Sequence, residues 1–249
     1  MTPHATIHPN AELNRIITAL PAETRERLAP HLELVSLRVR DPLHDARGPV
    51  EHVYFPLNAV VSLVSDIDDG VTVELATLGN EGMVGIAVFL AGETMPYRAF
   101  TQVPGATLRL PARVLVAEMA RDQELGDVLK RYTQALLVQV AQTAACNRIH
   151  RVEERCARWL LMTHDRVGRA EQFPLTQEFL AQMLGVRRAT VTVAAGMLQR
   201  AGLIRYTRGK ITVVDRPRLE AASCGCYRVV RDETDRLLGS EPRRVALSA

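Results

Sequence analysis

The residues best able to do covalent or metal chemistry lie in the second half of the 249-residue chain. Cys224-Gly225-Cys226 sets two thiols one residue apart, a pair that can oxidise or hold zinc or copper weakly. A metal site needs more ligands than this pair supplies, so no metal ligand is assigned, and thiols filling a packing space near a C-terminal helix are the simpler reading. A redox- or metal-responsive role for Cys224 and Cys226 is the alternative. Cys156 and His164 share a predicted helix, but eight residues of helix part them by about 12 Å, too far for a nucleophile and its base. No phosphate-cradling glycine loop, zincin motif or nucleophile elbow is present, and no catalytic residue is assigned. No cysteine precedes Cys146, so the N-terminal half has no thiolate set for an iron–sulfur cluster. His4, His8, His31, His44 and His52 read as single surface histidines.

A different chemistry, hydrogen bonding to phosphates and base edges, is concentrated between Leu175 and Lys210. LTQEFLAQMLGVRRATVTVAAGMLQRAG reads as two short helices joined at Gly185, where a left-handed backbone costs a glycine little. Thr176 is a credible N-cap, and Leu180, Met183 and Leu184 make a buried side for the first helix. In the second helix Val191, Ala194, Ala195 and Leu198 fall within about 100° of one another and must pack inward. Ala189, Val193, Gly196 and Arg200 then face out, flanked by Arg188, Thr192 and Gln199. LIRYTRGKITVV follows as strand, turn at Gly209 and strand, with Tyr206, Thr207, Arg208 and Lys210 around its tip. Two helices and a basic hairpin at this spacing predict a winged helix-turn-helix, whose second helix fits the DNA major groove. Thr176 and Gln177 at a helix start suit a phosphate, and Arg187, Arg188, Thr190 and Thr192 offer donors to backbone or bases. The charge distribution agrees: residues 1–147 carry 12 Lys/Arg against 17 Asp/Glu, and residues 148–249 carry 19 against 11.

The elements that must position these residues are also visible. LNRIITAL and AETRERLAPHLEL, within residues 11–34, read as amphipathic helices. From about Val50 to Leu110, short runs rich in Val, Leu, Thr and aromatics alternate with turn residues, including Asp68-Asp69-Gly70, and predict an antiparallel sandwich or barrel. PARVLVAEMARD is a short helix, and Leu125 to Ile149 is a long one with Leu125, Leu129, Tyr132, Leu136 and Val140 along one face. Leu137 and Val138 widen its apolar surface, enough to pack on its own sheet and on a second copy. RPRLEAASCGCYRVVRDETDRLLG is a further helical segment, followed by a polar tail after Gly239. No run approaches the roughly 20 apolar residues of a membrane span, and no signal peptide is apparent, so a cytoplasmic location is expected.

This order of parts resembles the Crp/Fnr family of bacterial transcriptional regulators over roughly residues 15–220, most closely from Arg155 to Val214. The resemblance implies an α+β fold. Residues 1–124 would form a cyclic-nucleotide-binding-like β-roll (a double-stranded β-helix), 125–149 a dimerisation helix, 150–220 the winged helix-turn-helix, and 221–249 a C-terminal helix and tail. It further implies a non-enzymatic homodimer on a two-fold symmetric DNA operator, with RNA polymerase a further partner. GNEGMVGIAVFL, Gly79 to Leu90, resembles the family's ligand loop, making Gly82, Met83, Tyr97 and Arg98 the pocket candidates. The family's ribose-binding carboxylate is replaced by Met83, which accepts no such hydrogen bond, and Tyr97-Arg98 stands where Arg-Ser or Arg-Thr would. Ordinary cyclic-nucleotide control is therefore not expected, and no cofactor or effector is assigned. The recognition helix departs too: Arg188 matches the family's first arginine, but Ala189 and Val193 replace its Glu and second Arg. That predicts a half-site richer in A·T contacts, with Ala189 and Val193 against thymine methyls. A degenerate family member acting through protein contacts is the other reading.

Overall fold

The computed structural model describes residues 14–67, 71–168, 170 and 172–239. The Asp68-Asp69-Gly70 turn, His4, His8 and the tail after Gly239 lie outside the described residues. In HVYFP the alternate residues Val53 and Phe55 are buried, the period of a strand with one face inward. Such runs form β1 (Glu33–Leu37), β2 (Pro42–His44), β3 (His52–Pro56), β4 (Val60–Ile67), β5 (Val71–Leu78), β6 (Arg98–Val103) and β7 (Gly105–Pro111). They build two antiparallel sheets, ordered β1-β7-β3 and β2-β6-β4-β5. Val53 faces Leu110 and Phe55 faces Leu108 across the first sheet. Val61, Leu63, Ala76, Leu78 and Ala99 line the interior of the second. The β-roll thus has the expected class, but it starts earlier than periodicity suggests. Helix was expected as far as Leu34; instead the chain leaves α2 (Ala22–Leu28) through a 3-10 turn containing Pro30 and enters β1. β1 is an edge strand whose burial does not alternate, so no period marks it.

Ahead of it, α1 (Arg15–Ala19) is capped by Asn14, whose side chain accepts from the Ile16 and Ile17 amides, and it buries Ile16 and Ile17. After the roll come α3 (Ala112–Met119) and α4 (Gln123–Ile149), the latter capped by Asp122. The inward face of α4 corrects the dimerisation assignment. Leu125, Leu129 and Tyr132 are buried within this same chain, against Phe55, Leu108 and Leu110 of the roll, so they are not interface residues. Leu136 and Val140 are half-buried against the interior of the second sheet. The outward face carries Gln134, Leu137, Ala141, Ala144, Ala145, Arg148 and Ile149, with Leu137 66% and Ile149 74% exposed.

α5 (Val152–Arg166), β8 (Gln172–Pro174), α6 (Gln177–Leu184), α7 (Arg188–Arg200), β9 (Ile204–Thr207) and β10 (Lys210–Val213) follow, with sheet order β8-β10-β9. α8 (Arg216–Ala222) and α9 (Cys226–Leu238) complete the described chain. α9 turns back along α4: Cys226 lies beside Gln142, while Leu237 and Leu238 join the cluster of Leu125 and Leu129. The C-terminal unit also rests on the outer face of β4, β5 and β6. Trp159 donates to the buried Glu74 carboxylate (2.7 Å), which accepts from Ser62 (2.7 Å), and Gln102 donates to Thr163 (3.1 Å). Arg166 and Glu81 form a buried pair at 2.7 Å, and Phe100 meets Phe179 edge-on at 6.0 Å.

Candidate nucleic-acid interface

The helix pair is held by the residues its sequence marks. Thr176 accepts from the Phe179 amide (3.1 Å), and Gly185 closes α6 with φ 62°. Val191, Ala194, Ala195 and Leu198 are the buried residues of α7, and Val191, Ala194 and Leu198 share a core cluster with Leu180, Met183 and Leu184. The opposite stripe is open: Ala189 and Arg200 are exposed, Gly196 is half-buried, and Val193 is 58% exposed. Met197, 44% exposed, borders it; four residues beyond Val193, it was detectable from helical spacing but not anticipated.

At the start of α7, Arg187 and Arg188 are both exposed, and Arg188 is held only loosely by Glu178 at 4.0 Å. They rim a groove of about 780 Å³ with Thr190, Gln182 and, from the β-roll, Arg40 and Thr72. Thr192 is placed differently from expectation. Its hydroxyl proton is committed to Gln177 Oε1 (2.8 Å) or the Arg188 carbonyl (3.1 Å), which leaves its lone pairs as acceptors towards solvent. The same bond occupies Gln177 and ties the start of α6 to α7. Thr176, already capping, offers a phosphate only its remaining proton and the helix-end amides.

The wing turns at Arg208 (φ 48°) and Gly209 (φ 75°), two successive left-handed residues that suit a two-residue hairpin. Thr207, Arg208 and Lys210 are exposed at its tip, and Arg205, which sequence reasoning missed, is exposed further down β9 opposite Thr212. Tyr206 anchors the wing: its hydroxyl donates to the Leu175 carbonyl (2.8 Å) and its amide donates to Gln199 Oε1 (2.8 Å). β8 adds a third strand, with Phe173 opposite Ile211. Cations at the helix start and wing tip therefore sit on a rigid frame with the bland stripe of α7 between them.

This geometry has known counterparts. Residues 154–222 match the family model described as the Crp-like helix-turn-helix domain. The chain carries a Crp-like helix-turn-helix domain on a Crp/Fnr fold. FixK2 from Bradyrhizobium japonicum is similar at 18% identity and TM-score 0.64, covering 78% of this chain and 98% of that one. TTHB099, a Crp-family transcriptional regulator from Thermus thermophilus, is similar at 19% identity and TM-score 0.64, covering 77% and 96%. CLP from Xanthomonas campestris, a c-di-GMP-responsive global regulator, shares 18% identity at TM-score 0.59, covering 78% and 99%. No curated protein matches the sequence.

The ligand pocket expected of a Crp-like roll is not assembled from the four candidates. Met83 is fully buried in the apolar cluster of Phe55 and Leu108. A Cβ on Gly82 would stand 2.9 Å from the Tyr132 ring, and the Tyr132 hydroxyl donates to the Met83 carbonyl at 2.7 Å, so α4 closes directly on this loop. Tyr97 packs against the buried cluster of Val61, Leu63, Ala76 and Ala99, with its ring 6.3 Å from that of His44. Arg98 shares a strand face with Phe100 and Gln102, which contact α6 and α5, so it points outward, where Asp66 pairs with it at 2.9 Å. A strand's alternation thus separates Arg98 from Met83.

The cysteines divide into two environments. Cys156 is buried in the apolar core, and burial pushes its thiol up to about 12, which keeps it protonated and unreactive. Cys224 and Cys226 are buried where α9 begins. Cys146 joins them in a cluster of their own, and His150 lies 3.5 Å from Cys226 Sγ.

Proposed function

We propose that this chain is a sequence-specific DNA-binding transcriptional regulator, acting in the cytoplasm as a homodimer on a two-fold symmetric operator, without ordinary cyclic-nucleotide control. The observation that carries this reading is the exposed set Arg187, Arg188, Thr190, Arg208 and Lys210 on the frame that Gln177, Tyr206 and Leu175 lock together. With α7 in the major groove, Arg188 is the bidentate base donor, Ala189 and Val193 meet thymine methyls, and Thr192 accepts from a base amine or a bridging water. The wing and the start of α6 hold phosphates. The outward face of α4, led by Leu137, Ala141 and Ala145, receives the same face of a second copy. Two helix-turn-helix units so joined read half-sites about 34–36 Å apart, and the bound dimer acts on RNA polymerase at the promoter.

Selection from a random oligonucleotide pool tests the reading. The expected product is an inverted repeat with a guanine read by Arg188 and A·T pairs beside it; recovery of the family's common guanine-rich half-site would refute the assignment of Ala189 and Val193. Arg188→Ala should relax preference at that guanine by about 1–3 kcal/mol. Arg208→Ala should weaken all sequences alike and reduce the salt dependence of binding. Affinity that does not fall with salt would instead favour a protein partner for the apolar stripe of Val193 and Met197.

A further inference from the structure

Cys146 lies in the last turn of α4, and His150, four residues on, is the C-cap of that helix. Cys224 lies in the link between α8 and α9, and Cys226 is the first residue of α9. Folding α9 back along α4 brings four ligand atoms, three thiol sulfurs and an imidazole nitrogen, within 4.8 Å of one another. Cys146 and Cys224 sulfurs are 3.5 Å apart, and Cys226 Sγ and His150 Nδ1 are also 3.5 Å apart. A tetrahedral zinc with Zn–S near 2.3 Å and Zn–N near 2.0–2.1 Å requires S–S edges of about 3.8 Å and S–N edges of about 3.5 Å. The two 3.5 Å separations are close to these edges, and since all four atoms lie within 4.8 Å of one another, small side-chain adjustments would bring them onto one ion. A multi-iron cluster places its thiolates on different irons and needs them farther apart.

The surroundings suit a metal thiolate better than three neutral thiols. Gln142 Nε2 donates towards Cys226 Sγ at 3.1 Å, the outer-shell hydrogen bond that orients a metal-bound sulfur. Arg155 and Arg158 are more than nine-tenths buried, each keeps a buried Nε without a hydrogen-bond partner, and both interact electrostatically with Cys146. Zn²⁺ with three thiolates and a neutral imidazole carries one net negative charge, which offsets part of that buried cationic charge. The three cysteines are buried and His150 is half-buried, an enclosed arrangement that leaves no open coordination position.

We propose that Cys146, His150, Cys224 and Cys226 form a structural zinc site that staples the start of α9 to the C-terminal end of α4. The site does not depend on the DNA-binding reading, and its failure would leave that reading intact. Binding releases the thiol protons to solvent as the thiolates ligate the ion, with no change of oxidation state.

Elemental analysis of the full chain, purified without oxygen or chelator, should find about one zinc per chain. Cobalt added to the zinc-stripped chain should give the visible bands of a tetrahedral thiolate site. Cys146→Ser and Cys224→Ser should lose the metal, whereas Cys156→Ala should retain it. If a cysteine variant does not fold, His150→Ala supplies the readout from a half-exposed position: zinc should pass to a competing chelator far more readily, and His150→Cys should restore retention. Intact thiols that take up neither zinc nor cobalt would overturn the proposal. So would iron–sulfur absorption, a Cys146–Cys224 disulfide in the oxygen-free protein, or undiminished zinc in Cys224→Ser.

Discussion

Gly196 shows how much one atom can decide. It stands mid-helix in α7, where glycine costs about 1 kcal/mol relative to alanine. An added Cβ would meet only the flexible end of Arg200 at 3.3 Å, so packing within the chain does not demand glycine. Gly196→Ala should therefore raise stability by up to about 1 kcal/mol in a denaturant melt. It should also weaken operator binding in a gel-shift titration, because the methyl would project from the stripe proposed above to meet DNA. Unchanged affinity would remove the case for close backbone approach there. Glu74 makes a second residue-scale test. Burial raises its pKa above the ordinary carboxylate value of 4.5, against the hydrogen bonds from Ser62 and Trp159 that lower it. A raised folded-state pKa favours the protonated fold: the contribution is fully present below about 4.5 and is lost as pH rises through the folded value. Glu74→Gln should remove that dependence, so the stability difference between wild type and variant, read from melts across this range, should shift in the variant's favour as pH rises.

Among the elements, α4 is where sequence and structure part most usefully. Its apolar periodicity correctly marks a two-sided helix, but periodicity does not say which side meets the chain's own roll. Burial answers it: Leu125, Leu129 and Tyr132 go inward, and Leu137 goes out. Leu137→Glu should then leave the fold of the single chain intact, because the side chain is exposed within it, and lower the melting midpoint only by the stabilisation that association supplies. In sedimentation equilibrium it should shift the protein from dimer to monomer. A variant that stays dimeric would place the contact elsewhere. The helix-turn-helix was legible almost residue by residue, because caps, a left-handed glycine and a buried stripe are local signals, as at Thr176, Gly185 and Val191. β1, β2 and β8 were not, because short edge strands of three to five residues carry little period.

At the scale of the whole molecule, what the sequence hid is what joins distant segments. Cys146 meets Cys224 across 78 residues, and nothing local links TAACNRIH to CGC. Arg166 reaches Glu81 and Gln139 together, and Trp159 reaches Glu74, so the roll and the DNA-binding unit share buried polar groups. A change at the roll's outer face therefore has a direct route to α5, through bonds that cannot stretch without leaving a buried charge unpaired. The return of α9 has a consequence in time as well as in space. Leu237 and Leu238 complete the cluster that Ile16, Phe55 and Leu108 begin, and Arg15 pairs with Asp235 at a separation of 220 residues. While the ribosome is still making the helix-turn-helix, the roll waits with one wall missing. Its final closure must follow emergence of α9, and the nascent roll carries an unsealed apolar surface until then.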